Sequence, residues 1–211
     1  MKKFLIGLAV AASAPAFAAS GLNGTYYNPT ADTTGLWDGF AATSAYLAGS
    51  PKASGSFIAT ALDYSGQDTS SIVSFLGADS ASFVGHNGGL ADGVLVLKGY
   101  IDLGAGSTTL SVSHDDGFRL ILDGATLGQN GCCGTDDVTV DFASAGWHSI
   151  EIDYNNAMYG GYSGGATFAV SENGHAIDAA TLAPVPEPQN MALLLAGLGL
   201  VGIVARRRIK N

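Results

Sequence analysis

Asp115 and Asp116 stand side by side in "SVSHDDGFRLILDG", residues 111 to 124, where one run with strand character meets another. Two adjacent carboxylates can hold a hard divalent cation such as calcium, which takes six to eight oxygen ligands. Successive side chains of a regular strand point to opposite faces. Both groups reach one ion only if the chain turns there or the peptide bond between them is cis. The same two residues followed by Gly117 are also good turn chemistry, with side chains accepting from nearby backbone N–H groups. On composition alone the turn is the simpler reading.

Further oxygen and aromatic donors lie downstream, in "DYNNAMYGGYSGG". Asn155 and Asn156 offer amide oxygens. Tyr159 and Tyr162 offer flat faces that pack against sugar rings, or they are merely exposed side chains of a Gly-rich hairpin loop. "GCCG" supplies the chain's two cysteines, Cys132 and Cys133. In an exported chain both should be oxidised. A vicinal bond is the preferred reading, although Cα atoms about 3.8 Å apart are closer than a usual disulfide requires. Pairing between two chains is the alternative. Two cysteines alone do not make a structural zinc site, which takes four ligands.

Other chemistry is absent from the pattern. "GYSGG", residues 161–165, matches G-x-S-x-G, but a strand-like "ATFAVS" follows where a hydrolase needs a helix. His86, His114, His148 and His175 are dispersed and no H-E-x-x-H occurs. His114 adjoins the aspartate pair, as a supporting residue or an ordinary strand end. Glycosidase carboxyls flank a bond at about 5 Å or more, unlike neighbours sharing one ion. No catalytic residue is assigned, and the chain is read as a non-enzyme.

The elements that must position these groups are short strands. "GVLVLKGYIDLG" (93–104) carries Val94, Val96 and Lys98 on one face and Leu95 and Leu97 on the other, a strand covered on both sides near its start. "TTLSVSH" and "FRLILDG" alternate, with Leu110 and Val112, then Phe118, Leu120 and Leu122, pointing inward. "DVTVDF", "GWHSIEIDY" and "GGATFAVSENG" add three strands, and Trp147 reads as core. Asp123-Gly124 is a hairpin turn signal. "SIVSFLG" (71–77) is predicted as a strand. "FAATSAYLAG" is compatible with a helical turn, and residues 30–92 are otherwise undecided. With 30 glycines and 13% charged residues, the body reads as an all-β antiparallel sandwich.

Both ends carry address signals. Lys2 and Lys3, the apolar run Phe4–Ala12 and Ala16-Phe17-Ala18 form a secretory signal peptide over residues 1–19, to be handled by the Sec machinery and signal peptidase. Residues 20–183 make one domain. Residues 184–211 hold Pro186, Glu187 and Pro188, a single apolar helix at about 191–205, and the basic cluster Arg206, Arg207 and Arg208. That helix falls short of the roughly 20 residues that span a bilayer comfortably. Its basic end should stay cytoplasmic, at least transiently anchoring the body outside. The body's basic residues are Lys52, Lys98 and Arg119. So acidic a surface excludes nucleic acid, whose binding rests on neutralising phosphates.

The tripartite tail resembles the PEP-CTERM sorting signal of Gram-negative bacteria, which implies recognition by an exosortase and delivery to the cell surface or extracellular matrix. "LSVSHDDGFRLILDG", "AGWHSIEIDYNN" and the opening "GLNGTYYN" resemble the PA-fourteen domain, named after anthrax protective antigen, over about residues 21 to 172. That resemblance implies a β-sandwich often tied to carbohydrate. In its lectin members adjacent aspartates joined by a cis peptide bind calcium, and calcium binds sugar hydroxyls. The matching residues are Asp115 and Asp116, with Asn155 or Asn156 as the loop asparagine. Tyr159 and Tyr162 stand beside them for a glycan. The expected function is a calcium-dependent carbohydrate-binding surface module. A matrix scaffold without specific ligand, and more remotely a glycoside-active enzyme, are the alternatives.

Overall fold

The computed structural model describes residues 20–28, 40–157 and 164–185. In chain order the elements are β1 (Leu22–Tyr27), α1 (Phe40–Ala48), β2 (Gly55–Ala59), β3 (Asp63–Gln67), α2 (Ile72–Leu76), a 3-10 turn (Gly77–Ser82), β4 (Val84–Gly85), β5 (Gly93–Leu103), β6 (Gly106–Asp115) and β7 (Gly117–Leu122). There follow β8 (Ala125–Asn130), β9 (Gly134–Phe142), β10 (Gly146–Asn156), β11 (Gly165–Glu172), β12 (His175–Ala176), a 3-10 turn (Ala179–Thr181) and β13 (Leu182–Pro184). One antiparallel sheet runs β4-β2-β1-β5-β10-β7-β8, with β13 also on β5. The other runs β12-β11-β6-β9, with β3 also on β11.

Alternation builds the core between the sheets. Leu110 and Val112 from β6 and Phe168 and Val170 from β11 meet Phe118, Leu120 and Leu122 from β7 and Ile150, Ile152 and Tyr154 from β10. Tyr154 packs on Phe168 at 5.1 Å between ring centroids and stacks on Phe75 at 5.9 Å. Strand β5 is covered on both sides, as its sequence indicates. Leu95 and Leu97 enter this core, while Val94 and Val96 pack outward with Tyr27, Ala42, Tyr46 and Leu47 beneath α1. The hairpin turn at Asp123-Gly124 has φ of 49° and 79°, the left-handed pair such a turn requires.

Two expectations are corrected. "SIVSFLG" holds a helix, not a strand. The Ser71 side chain accepts from the Ser74 N–H as an N-cap, and Ile72, Phe75 and Leu76 bury one helical face. Period-two apolar spacing and an i, i+3, i+4 stripe coincide over so short a run. Trp147 is half-buried rather than core: it shares the outward parity of Ser149 and Glu151 on β10, opposite Asp102.

The arrangement sets the aspartate pair at one pole of the sandwich. Strand β6 ends in one sheet with Asp115 opposite Thr167, and β7 begins in the other with Gly117 opposite Asn155. The chain crosses between sheets at the aspartate pair. Strand β13 lies along β5, with Leu182 opposite Ile101 and Pro184 opposite Gly99, so it runs toward the end of β5 that carries Val94. The Gly21 N–H donates to the Leu182 carbonyl at 3.1 Å, and the Val185 N–H donates to Asn23 Oδ1 at 2.7 Å. The two ends of the described body therefore lie side by side. On β5 they lie five to seven residues from Val94, the partner of Asn155. At about 3.3 Å per residue that is roughly 16–23 Å.

Gly99 makes this closure possible. A Cβ there would sit 2.2 Å from the Ala183 carbonyl oxygen and 2.7 Å from Leu22 Cδ2. Gly99→Ala is expected to displace β13 and cost about 1–3 kcal/mol, the range for overpacking. Urea unfolding measures it, and an unchanged midpoint contradicts this role for Gly99.

Candidate functional site

The Asp115–Asp116 peptide is cis. One carboxylate oxygen from each residue and the two cysteine sulfurs all lie within 4.8 Å of one another. Cys132 and Cys133 form a vicinal disulfide. Cys133 Sγ is 3.1 Å from Asp115 Oδ1 and 3.8 Å from Asp116 Oδ1, and Cys132 Sγ is 3.9 Å from Asp116 Oδ1. A disulfide sulfur carries no hydrogen, so these are contacts and not hydrogen bonds. For the same reason the sulfurs are not thiolate ligands, and the carboxylates alone offer negative charge.

The backbone carbonyls of the pair are tied down from below. Tyr154 donates its hydroxyl to the Asp115 carbonyl. His114 Nδ1 bonds the Asp116 carbonyl, which also accepts from the Cys133 N–H at 3.4 Å. His114 Nε2 lies 2.7 Å from Asp136 Oδ2, and Asn130 Nδ2 donates to the same oxygen at 3.0 Å. Both ring nitrogens of His114 therefore face oxygens that only accept. The bond from Asn130, and then that from His114, hold the Asp136 carboxyl below its ordinary range.

Among the described residues, the one N–H given to either carboxylate is that of Ala157, which donates to Asp116 Oδ2 at 2.6 Å. Burial pushes Asp116 up to about 6. The charges of Asp115, Asp68 and Asp92 add to this, while the Ala157 bond opposes it. Burial, then the Asp68 charge, also raises Asp115, against the pull of His114. The Tyr154 hydroxyl is raised well above its usual value by burial and then by Asp116, Asp115 and Asp68. Four carboxylates thus share this pole. Sequence reading missed Asp68 and Asp92. Asp68 is buried and accepts from the Gly164 N–H, and Asp92 sits in a turn with φ of 55°. Both belong to the stretch whose fold the sequence left open, and no local pattern connects them to residues 115–116.

The donor set fits a calcium ion. Calcium–oxygen bonds of 2.3–2.6 Å put two ligand oxygens up to about 5 Å apart, and the paired carboxylates lie inside that limit. The two asparagines diverge. Asn155 Oδ1 sits 2.5 Å from where a Cβ on Gly117 would be, so that position must be glycine. Asn156 Oδ1 accepts from the Tyr154 hydroxyl at 3.4 Å, and its Nδ2 donates to the Leu90 carbonyl at 3.4 Å. Tyr159 and Tyr162 lie outside the described residues, as do Pro186, Glu187, Pro188, Arg206, Arg207 and Arg208.

Solved structures with this architecture are known. The PA14 domain of the antifreeze protein MpAFP superposes with a TM-score of 0.63 at 23% identity, covering 83% of this chain and 97% of that one. A PA14 sugar-binding domain from an RTX adhesin gives 0.58 at 25% identity, covering 80% and 100%. The body has the PA14 fold. The A domain of epithelial adhesin 6 from Candida glabrata, in complex with Galb1-3GlcNAc, matches this PA14-type sandwich at 0.54 and 11% identity, covering 82% and 90%. Residues 184–208 match the PEP-CTERM protein-sorting motif. No curated protein matches the sequence. Among the described residues no helix is long and apolar enough to cross a membrane, and the apolar segment at 191–205 lies outside them.

The raised Asp116 sets a pH dependence. Its folded value of about 6 exceeds the unfolded value of about 3.9. Between these the folded state holds more protons, so this group's contribution falls as pH rises from about 4 to about 6, and is flat above. In chelator, the stability difference between the native chain and Asp116→Asn is expected to shift against the native chain over that window. Urea unfolding at several pH values measures it, and a difference moving the other way contradicts the assignment.

Proposed function

We propose that this exported protein is a calcium-dependent glycan-binding module of the cell surface or extracellular matrix. The observation that carries the reading is the convergence of Asp115 and Asp116, with Asp68 and Asp92 adding negative charge behind them. Such a cluster calls for a cation, and its hard oxygens suit calcium. Bound there, calcium supplies open coordination positions for two hydroxyls of a sugar. This chain's residues do the rest. Asp115 and Asp116 hold the ion, joined by an amide oxygen of Asn155 or Asn156. The Ala157 N–H fixes the rotation of Asp116, while Tyr154 and His114 hold the backbone beneath. The exposed disulfide forms one wall of the mouth, and Tyr159 and Tyr162 present ring faces to the sugar.

Similarity to a sugar-binding PA14 domain and to an adhesin domain with a bound disaccharide supports this class of ligand over a catalytic role. The sorting motif supports display. After export through the Sec machinery and removal of residues 1–19 by signal peptidase, the tail from residue 184 holds the precursor at the membrane until an exosortase acts. The source is a Gram-negative bacterium on this reading.

Calorimetry of the purified full chain in detergent tests the ion. Calcium is expected to give a 1:1 heat that Asp115→Ala abolishes. His114→Gln, acting through the Asp116 carbonyl, is expected to weaken it by about 10–100-fold. A glycan array with and without chelator tests the sugar, the expected signal being lost in chelator. Absence of calcium heat removes the reading and leaves a scaffold protein. Heat without any array signal removes its glycan half.

A further inference from the structure

We infer that reduction of the Cys132–Cys133 bond turns the same pole into a four-ligand site for a borderline-soft divalent cation such as zinc. In the oxidised chain the two sulfurs are bonded to each other and carry no charge. Thiolates, not disulfides, bind metals. Two equivalents of a small-molecule thiol reduce the bond by exchange: its two sulfurs take up two electrons and two protons, and the reductant leaves as its own disulfide. Zinc then displaces the two thiol protons. Two thiolates and two carboxylates would surround it.

The separations suit that change. With zinc–sulfur bonds of about 2.3 Å and zinc–oxygen bonds of about 2.0–2.2 Å, a tetrahedron has sulfur–oxygen edges of about 3.5 Å. The observed sulfur–carboxylate distances of 3.1, 3.8 and 3.9 Å bracket that value. The sulfur–sulfur edge is about 3.8 Å in such a complex, and breaking the disulfide lets the sulfurs part to it. The frame around them is already built. The Cys133 N–H bonds the Asp116 carbonyl, the Cys132 N–H bonds Asn130 Oδ1 at 3.4 Å, and Ala157 occupies Asp116 Oδ2, leaving Oδ1 toward the sulfurs. Both cysteines are exposed, so a thiol can reach them. The chain has no others, so reduction alters no other covalent link. Oxidised, the pole offers hard oxygens alone; reduced, it offers sulfur as well, and its preference moves along the softness scale.

This inference shares Asp115 and Asp116 with the calcium reading but is read without calcium or glycan, so the two fail separately. The full chain in detergent is reduced with dithiothreitol, freed of it without air, and titrated with cobalt(II), whose thiolate charge-transfer band reports sulfur ligation. The expected result is a 1:1 band in the reduced chain and none in the oxidised chain, with zinc displacing cobalt. Zinc affinity should be at least about 100-fold higher after reduction. Cys133→Ser should lose the band, and Asp115→Asn with Asp116→Asn should lose its tetrahedral visible absorption. Circular dichroism checks that each form is folded. Four results overturn the inference: a mass that does not rise by two hydrogens on reduction, no band in the folded reduced chain, an undiminished tetrahedral spectrum in the double variant, or one metal per two chains.

Discussion

The crossing from β6 to β7 forces two like charges together. Strand β6 ends at Asp115 in one sheet and β7 begins at Gly117 in the other, so one residue, Asp116, makes the passage. Two unit charges about 5 Å apart at an effective dielectric of about 20 repel by roughly 3 kcal/mol. Asp68 and Asp92 add to that field. A proton on Asp116, or a cation between the pair, relieves it. The rest of the pole is arranged around this. The Tyr154 hydroxyl and the His114 ring bond the two carbonyls of this half-buried turn. Gly117 has no side chain because the Asn155 amide oxygen and the Asn130 and Gly131 carbonyls occupy the space.

Compensating positive charge is placed elsewhere in the body. Lys98 pairs with Glu151 at 3.0 Å on the outer face of the larger sheet. Arg119 donates to Asp153, which is fully buried, and reaches Ser44 of α1 at 3.2 Å. Burial holds Asp153 up near 6 in spite of Arg119, so the arginine is committed to that partner. Beside the aspartate pair, His114 is itself bonded to Asp136. A mouth lined this way attracts cations and disfavours anionic ligands.

Much of this was legible in the residues, for identifiable reasons. Strands β5, β6, β7, β10 and β11 alternate cleanly because each buries one face, and β5 buries two. The Asp-Asp-Gly run and the neighbouring "GCCG" name the ligand chemistry by type. What local pattern could not give is the company those residues keep. Asp68 reaches the site through a loop between β3 and α2, and Asp92 through the turn before β5. Asp68 is placed by the pairing of β3 on β11, between residues about a hundred positions apart, and Asp92 by the pairing of β5 on β10, where Gly93 faces Asn156. The α2 segment was misjudged because five apolar-rich residues satisfy either period, and only the Ser71 cap decides it. Trp147 was misplaced because alternation gives parity but not which parity faces inward.

The central claim is that Asp115 and Asp116 hold one cation in common. A high-resolution crystal structure grown with calcium tests it most directly, through the anomalous signal of the ion. The account requires a single peak within about 2.3–2.6 Å of a carboxylate oxygen from each residue. Two carboxylates bonded only to protein groups and water, with no peak between them at saturating calcium, would contradict it.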